Sequence, residues 1–281
     1  MAELTGKTCL VTGATHGIGR ATAEALAALG ATVIVHGRDS AAVGAVCHEI
    51  VRVTGNGHVT GVVADFASLA AVRRLAAEVS ARHARLDVLV NNAGTSARQR
   101  RLTSDGFEWL LGVNHLAPFL LTKLLLDKLK ASAPARVVTV ASRAHRRGTL
   151  ELDDLNWERR KYNALKAYAD SKLANILVTR ELARRLAGSG VTANSLHPGV
   201  VATNIFNQLG FLGRAFTRIA KPLLLTSSEG AKTSVYLASS PEAASVNGKY
   251  FERCREAPLA PVACDDAGAE RLWERSEQLC G

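Results

Sequence analysis

The sequence predicts an α/β fold: a doubly wound parallel sheet of about seven strands with helices on both faces. Three observations predict it. Short apolar runs alternate with longer helix-patterned segments from the first residues to about position 200, the sign of βαβ units. A glycine-rich turn follows the first apolar run directly, and a helical run opens from it. No repeat or long polar linker interrupts the series, and 281 residues, 47% of them hydrophobic, can bury a substantial core. The expectation is one domain spanning 1–281.

Taken in order, the strands are expected at 8–12, 32–36, 58–64, 86–90, 136–141 and 192–197, with 249–251 as a seventh. Between them the pattern gives helices at about 18–29, 40–53, 68–84, 104–130, 163–188 and 228–239. Gly30, Gly55 and Gly188 stand where a left-handed cap would close three of these helices. Residues 200–225 break the alternation: Arg214, Arg218 and Lys221 recur at helical spacing, with Phe211, Leu212, Phe216 and Ile219 facing the other way. Such an insertion reads as a helical lid over the carboxyl edge of the sheet, where open α/β folds bind ligands. A last helix is expected over about 265–280, with no chemistry assigned to it.

The formal charge is +10, which would attract nucleic acid, an acidic membrane surface or an anionic ligand alike. The basic residues are scattered, the densest run, Arg98 to Arg101, is four residues long, and no nucleic-acid module accompanies them. Solvated helix faces are the simpler reading, leaving at most weak contact of the basic lid with a membrane surface. The one run of eighteen or more residues without Asp, Glu, Lys or Arg, 186–213, is broken up by Ser, Thr, Asn, Gln, His and Pro, and the chain enters a strand almost at once, so neither a transmembrane anchor nor a signal peptide is expected and the cytoplasm is the default. The five cysteines are scattered and form no CxxC, which suggests neither a disulfide framework nor a metal site.

Thr12-Gly13-Ala14-Thr15-His16-Gly17-Ile18-Gly19 lies at the first strand-to-helix junction. Glycines there allow a tight turn and bring bare N–H groups, with the helix dipole behind them, against a pyrophosphate. A dinucleotide site is expected on Gly13, Thr15, His16, Gly17, Ile18 and Gly19. The second strand ends His36-Gly37-Arg38, with no acidic residue at position 36 to accept ribose hydroxyls, and Arg38 can offer a charged fork to a 2′-phosphate. NADP(H) is therefore expected over NAD(H), with Asp39 as the feature that argues the other way. Asp65 after the third strand could accept from the adenine amino group or cap a helix, and Phe66 could border the ring. Asn91-Asn92-Ala93-Gly94 ends the fourth strand, where small residues fit a backbone passing beneath a cofactor.

Tyr168-Ala169-Asp170-Ser171-Lys172 lies in a long helix, and residues four apart share a face. A tyrosine loses its proton near pH 10, so acid/base work near neutrality needs a neighbouring cation, which Lys172 can be. Joined to the glycine turn, to Asn92-Ala93-Gly94 and to a serine after the fifth strand, the set resembles the short-chain dehydrogenase/reductase family over nearly the full length. The resemblance implies a Rossmann-type fold and hydride transfer between a nicotinamide and a carbinol or carbonyl carbon, without a metal. It implies Ser142 as the hydroxyl that polarises the substrate oxygen, Tyr168 as acid/base, Lys172 as its electrostatic partner and ribose ligand, and Asn114 as the link to a water relay.

Longer stretches, among them Val113-Asn114-His115-Leu116, Asp154-Leu155-Asn156-Trp157 and His197-Pro198-Gly199-Val200-Val201-Ala202-Thr203, look like the retinol dehydrogenase-like branch. That likeness implies Pro198, Gly199, Val201 and Thr203 beside the nicotinamide. It also implies a substrate pocket under the lid, with His145, Trp157, Phe206 and Phe211 as lining. The expected partner is a small-molecule substrate, a bulky lipophilic carbonyl or alcohol, with no nucleic acid. The two long helices could pair across a homodimer axis. The rival reading is a catalytically silent NADP(H)-binding sensor, against which the complete Ser142, Tyr168 and Lys172 set speaks.

Overall fold

The computed structural model describes residues 3–199 and 225–281. An eight-stranded sheet runs in the order β3-β2-β1-β4-β5-β6-β7-β8. Its strands are β1 (Thr8–Val11), β2 (Thr32–Gly37), β3 (Val59–Val63), β4 (Val88–Asn91), β5 (Ala135–Val140), β6 (Val191–His197), β7 (Tyr250–Glu252) and β8 (Arg255–Glu256). The first seven pair in parallel. The two-residue β8 pairs antiparallel with β7 at the edge; it is too short for a pattern to mark in sequence.

Period-two geometry explains the two faces of the sheet. Leu10, Ile34, Leu89 and Val137 join one core with the helices α3 (Leu69–Arg82), α4 (Trp109–Ala131), α5 (Ala164–Arg185) and α7 (Asp266–Cys280). Their strand neighbours Val11, Val33, Val35, Val88, Val90 and Val138 join the other, with α1 (Gly17–Ala28), α2 (Ser40–Thr54) and α6 (Ser227–Ser239). A sheet covered on both faces is what parallel strands require. The strand order reverses between β1 and β4, and open α/β sheets bind ligands at such a switch point.

Helix α4 departs from its predicted span of 104–130. Residues 103–108 form a turn instead, with Thr103 N–H donating to Phe107 O at 2.8 Å and Gly106 at φ +83°. The Glu108 carboxylate then caps the helix by accepting from Leu111 N–H at 2.8 Å. By length and composition α4 could cross a membrane, but 78% of its most apolar window is buried in this fold, between the sheet and its neighbours. The tail helix α7 begins where expected, capped by Asp265, and buries Leu272, Trp273 and Ser276. Of the lid predicted at 200–225, residues 200–224, among them Val201, Thr203, Phe206 and Phe211, lie outside the described residues.

Candidate active site

The carboxyl ends of β1, β2, β4 and β5 open onto one cleft of about 990 Å³. Its lining includes the glycine turn from one side and Tyr168 and Lys172 from the other, so the two sequence signals face the same space.

The glycine turn has its shape for local reasons. Gly13 (φ +62°) and Gly17 (φ +57°) take left-handed backbone that side chains disfavour. A Cβ on Gly19 would sit 2.3 Å from the Asn92 amide nitrogen and 2.4 Å from Gly13 O. Asn92 is the clasp: its Nδ2 donates to Thr12 O (2.7 Å) and Gly13 O (3.1 Å). The Thr12 hydroxyl in turn accepts from Asn92 N–H and Ala93 N–H, both at 3.0 Å. Sequence reasoning placed Asn92 beneath a ligand and passed over Thr12; the structure uses both to bolt β4 to the turn.

His36 is a second bolt. Its Nδ1 accepts from Gly13 N–H at 3.2 Å, so its Nε2 carries the proton and donates to Ala64 O at 3.1 Å. Burial holds the imidazole down to about 4, hence neutral at physiological pH. The ring stacks on Phe66 with centroids 4.6 Å apart. Gly37 has no room for a side chain, since a Cβ would meet Thr15 Cγ2 at 2.4 Å. Beyond it Arg38 is exposed at the cleft edge and makes no ion pair among the described residues. Asp39, the feature that argued for NAD(H), is occupied as the cap of α2, accepting from Ala42 N–H at 2.7 Å. Asp65 is exposed at the cleft and accepts from Ala67 N–H at 2.9 Å through one oxygen.

Lys172 is 4% exposed and donates to Val140 O at 3.1 Å. Burial lowers its ammonium to about 8. Its Nζ stands 5.7 Å from the Tyr168 ring centroid. Burial also raises the Tyr168 hydroxyl above its ordinary value, and a hydrogen bond with Ser142 pulls it back. Ser142 lies two residues beyond β5 and caps a short 3₁₀ turn, accepting from Ala144 N–H at 3.2 Å. Gly94 keeps the centre open: a Cβ there would lie 3.4 Å from Lys172 Nζ and 3.6 Å from Asn114 Oδ1.

Asn114 sits in a π-helical turn, Gly112–Leu116, inside α4, a distortion that often marks functional sites. Its Oδ1 accepts from Thr95 N–H (2.7 Å), and its Nδ2 donates to Thr95 O (3.0 Å) and Ser171 Oγ (3.1 Å). The side-chain amide thus ties the loop after β4 to α5. Pro118, four residues on, has no N–H, so the Asn114 carbonyl lacks its ordinary helical donor. The neighbouring His115 Nε2 lies 2.8 Å from Ser276 Oγ, so α7 buttresses this turn, a role its sequence did not suggest.

Two proposed substrate contacts are placed elsewhere. His145 is fully buried, with Nδ1 2.7 Å from Ser142 O and its ring edge-on to Tyr250, supporting the Ser142 turn from behind. Trp157, at φ +55°, packs with Ala97, Leu110 and Ala167 under the Arg160 guanidinium, 3.7 Å from its ring centroid. Neither lines the cleft among the described residues. Pro198 does, at the end of β6. Next to it, Gly199 has φ +88°, and a Cβ there would meet Leu225 Cδ1 at 2.3 Å. Among the described residues no group of three potential metal ligands occurs.

The sequence profile of the family "short chain dehydrogenase" matches residues 7–210. Human retinol dehydrogenase 13 is 47% identical over 285 residues, spanning 100% of this chain and 86% of that protein. Human retinol dehydrogenase 14 is 46% identical, spanning 98% of this chain and 87% of that protein. Among solved structures, an uncharacterized protein from Mycobacterium paratuberculosis superposes with a TM-score of 0.82 at 36% identity, over 100% of this chain and 95% of the other. A short chain dehydrogenase from Burkholderia cenocepacia in complex with NADP gives 0.71 at 30% identity, over 89% and 96%. With the glycine turn, Tyr168 and Lys172 gathered on one cleft and Ser142 hydrogen-bonded to Tyr168, these likenesses establish that the chain belongs to the short-chain dehydrogenase/reductase family of oxidoreductases, on its retinol dehydrogenase-like branch.

Proposed function

We propose that this single-domain chain transfers a hydride between NADP(H) and the carbinol or carbonyl carbon of a bulky lipophilic substrate, with Tyr168 as acid/base. The observation that carries the reading is Tyr168 and Lys172 facing the glycine turn across one cleft, with Ser142 hydrogen-bonded to Tyr168. The nicotinamide dinucleotide fits the residues present: glycine N–H groups at a helix start suit a pyrophosphate, and Gly94 leaves space before Lys172. When bound, the cofactor supplies or accepts the hydride. Arg38 reads the 2′-phosphate, helped by the neutral His36 where an acidic residue would repel it and by Asp39 pointing one oxygen at Ala42 N–H as the cap of α2. The NADP complex of the Burkholderia relative is consistent with this preference.

Tyr168 then gives its proton to the carbonyl oxygen, or takes it from the alcohol, while Ser142 orients that oxygen. Lys172, when charged, favours the phenolate. Its Nζ lies 5.7 Å from the Tyr168 ring centroid, and unit charges about 4–6 Å apart at an effective dielectric near 20 attract by about 3–4 kcal/mol. The Asn114 carbonyl, without a donor from Pro118, can take up a water that returns a proton to Lys172. Ala97, Trp109 and Val113 form an apolar wall beside Tyr168, which supports a lipophilic substrate, as do the names of the retinol dehydrogenase relatives.

Tyr168→Phe tests the reading, because the ring stays while the acid is removed. Carbonyl reduction followed by NADPH absorbance should fall by at least about 10², while NADPH titration stays near wild type. Retention of more than about a tenth of wild-type turnover, against that minimum loss of about 10², would sink Tyr168 as the proton donor.

A further inference from the structure

We propose that the substrate carries an anionic group, a carboxylate, remote from its reacting carbon and held by Arg98 and Arg101 at the cleft mouth. This rests on the oxidoreductase reading above and narrows its substrate class.

The cleft is unevenly charged. Among its described lining residues, Arg38, Arg98, Arg100, Arg101 and Lys172 are cationic, and Asp65 is the sole carboxylate. Arg38 and Asp65 stand at the ends of β2 and β3, on the adenosine side, and Lys172 lies behind Tyr168. The other three come from a single run on the opposite wall. Thr95, just before it, is bonded to Asn114, and Ala97 packs with Leu110, Trp157 and Ala167 in the cluster that Tyr168 flanks. The run therefore leaves the wall of the reacting hydroxyl and not that of the glycine turn.

Its members differ in what holds them. Arg100 is engaged: its Nε donates to Asn156 O at 3.0 Å, and its guanidinium lies 3.8 Å from Glu158. Arg101 stacks on the Trp109 ring, 3.5 Å from the centroid, and forms no ion pair among the described residues. Arg98 is exposed and likewise forms none. A stacked guanidinium is oriented before a ligand arrives and keeps its N–H fork for a planar carboxylate, so less side-chain freedom is lost on binding. Trp109 and Ala97 supply apolar surface between this fork and Tyr168. An aliphatic or aromatic oxo-acid meets both demands, its chain on the apolar wall and its carboxylate on the arginines, whereas a neutral substrate leaves two cations unused.

The test pairs 12-oxododecanoate with its methyl ester, each reduced with NADPH by wild type, Arg98→Gln/Arg101→Gln and Arg101→Lys. Decanoate and decanamide binding, followed by calorimetry, gives a readout that needs no turnover. Wild type should prefer the acid by at least about tenfold in kcat/KM and bind decanoate about tenfold tighter than the amide, as charge-assisted pairing predicts. Both ratios should fall to about one in the double variant, and Arg101→Lys, which keeps charge but not the fork, should lie between. An ester as good as the acid, or an acid preference that survives in the double variant, overturns the proposal while leaving the oxidoreductase reading intact. Arginine-dependent decanoate binding with no reduction of either aldehyde does the reverse: it upholds the anion site and overturns the carbonyl reaction.

Discussion

Replacing Lys172 with methionine should stabilise the fold near neutral pH while removing activity. Lys172 is 4% exposed, and burial takes its ammonium from 10.5 to about 8. Holding it charged at pH 7 therefore costs about 3 kcal/mol of folding free energy. Methionine fills a similar volume without charge. The substitution also removes the 3.1 Å bond to Val140 O, and leaving that carbonyl unpaired costs about 1–2 kcal/mol. The net gain is about 1–2 kcal/mol. The sign of its pH dependence follows from the lowered value. Between about 8 and 10.5 the unfolded chain holds the lysine proton more tightly than the folded one, so wild-type stability rises with pH through that window. At pH 9.5 the cost in wild type has dropped to about 1.4 kcal/mol and the advantage of the variant closes. Urea unfolding of both proteins without cofactor, at pH 7 and 9.5, measures the difference. A variant less stable than wild type by more than about 1 kcal/mol at pH 7, or a difference that does not change with pH, refutes the claim that a costly buried cation is retained here for chemistry.

Two further outcomes follow from the cofactor side of the cleft. Arg38→Ala should weaken NADPH by roughly thirtyfold, about 2 kcal/mol, and NADH far less, because one charge-assisted pair is lost; equal losses in fluorescence titrations of the two cofactors would show that Arg38 does not read the phosphate. Gly19→Ala should weaken both cofactors together by at least about tenfold, since its Cβ would clash with both Asn92 Nδ2 and Gly13 O and displace them. Unchanged affinity for either one would show that the Asn92 clasp is not needed to shape the turn.

Much of this protein was legible in the linear chain because its signals are local. Short apolar runs between helical patterns mark the strands of a sheet covered on both faces, and the strands formed within one or two residues of expectation. The glycine turn at 13–19 and the four-residue spacing of Tyr168 and Lys172 are also local, since each depends on backbone geometry within a single turn. What the sequence left open depends on partners distant in the chain. Asp65 could be a ligand or a cap on sequence grounds; in the fold Ser68 caps α3, while Asp65, bonded to Ala67 N–H through one oxygen, faces the cleft, and Asp39, the feature that argued for NAD(H), caps α2. His36 stood where an acid was expected and became a neutral bolt because Gly13 and Ala64 converge on its two nitrogens. His145 and Trp157, expected against the substrate, are buried supports, while Arg98 and Arg101, read as solvated charge, rim the cleft. Whether a side chain meets solvent, core or ligand is set by how loops after separate strands cross the carboxyl edge of the sheet, and that crossing is encoded in tertiary packing.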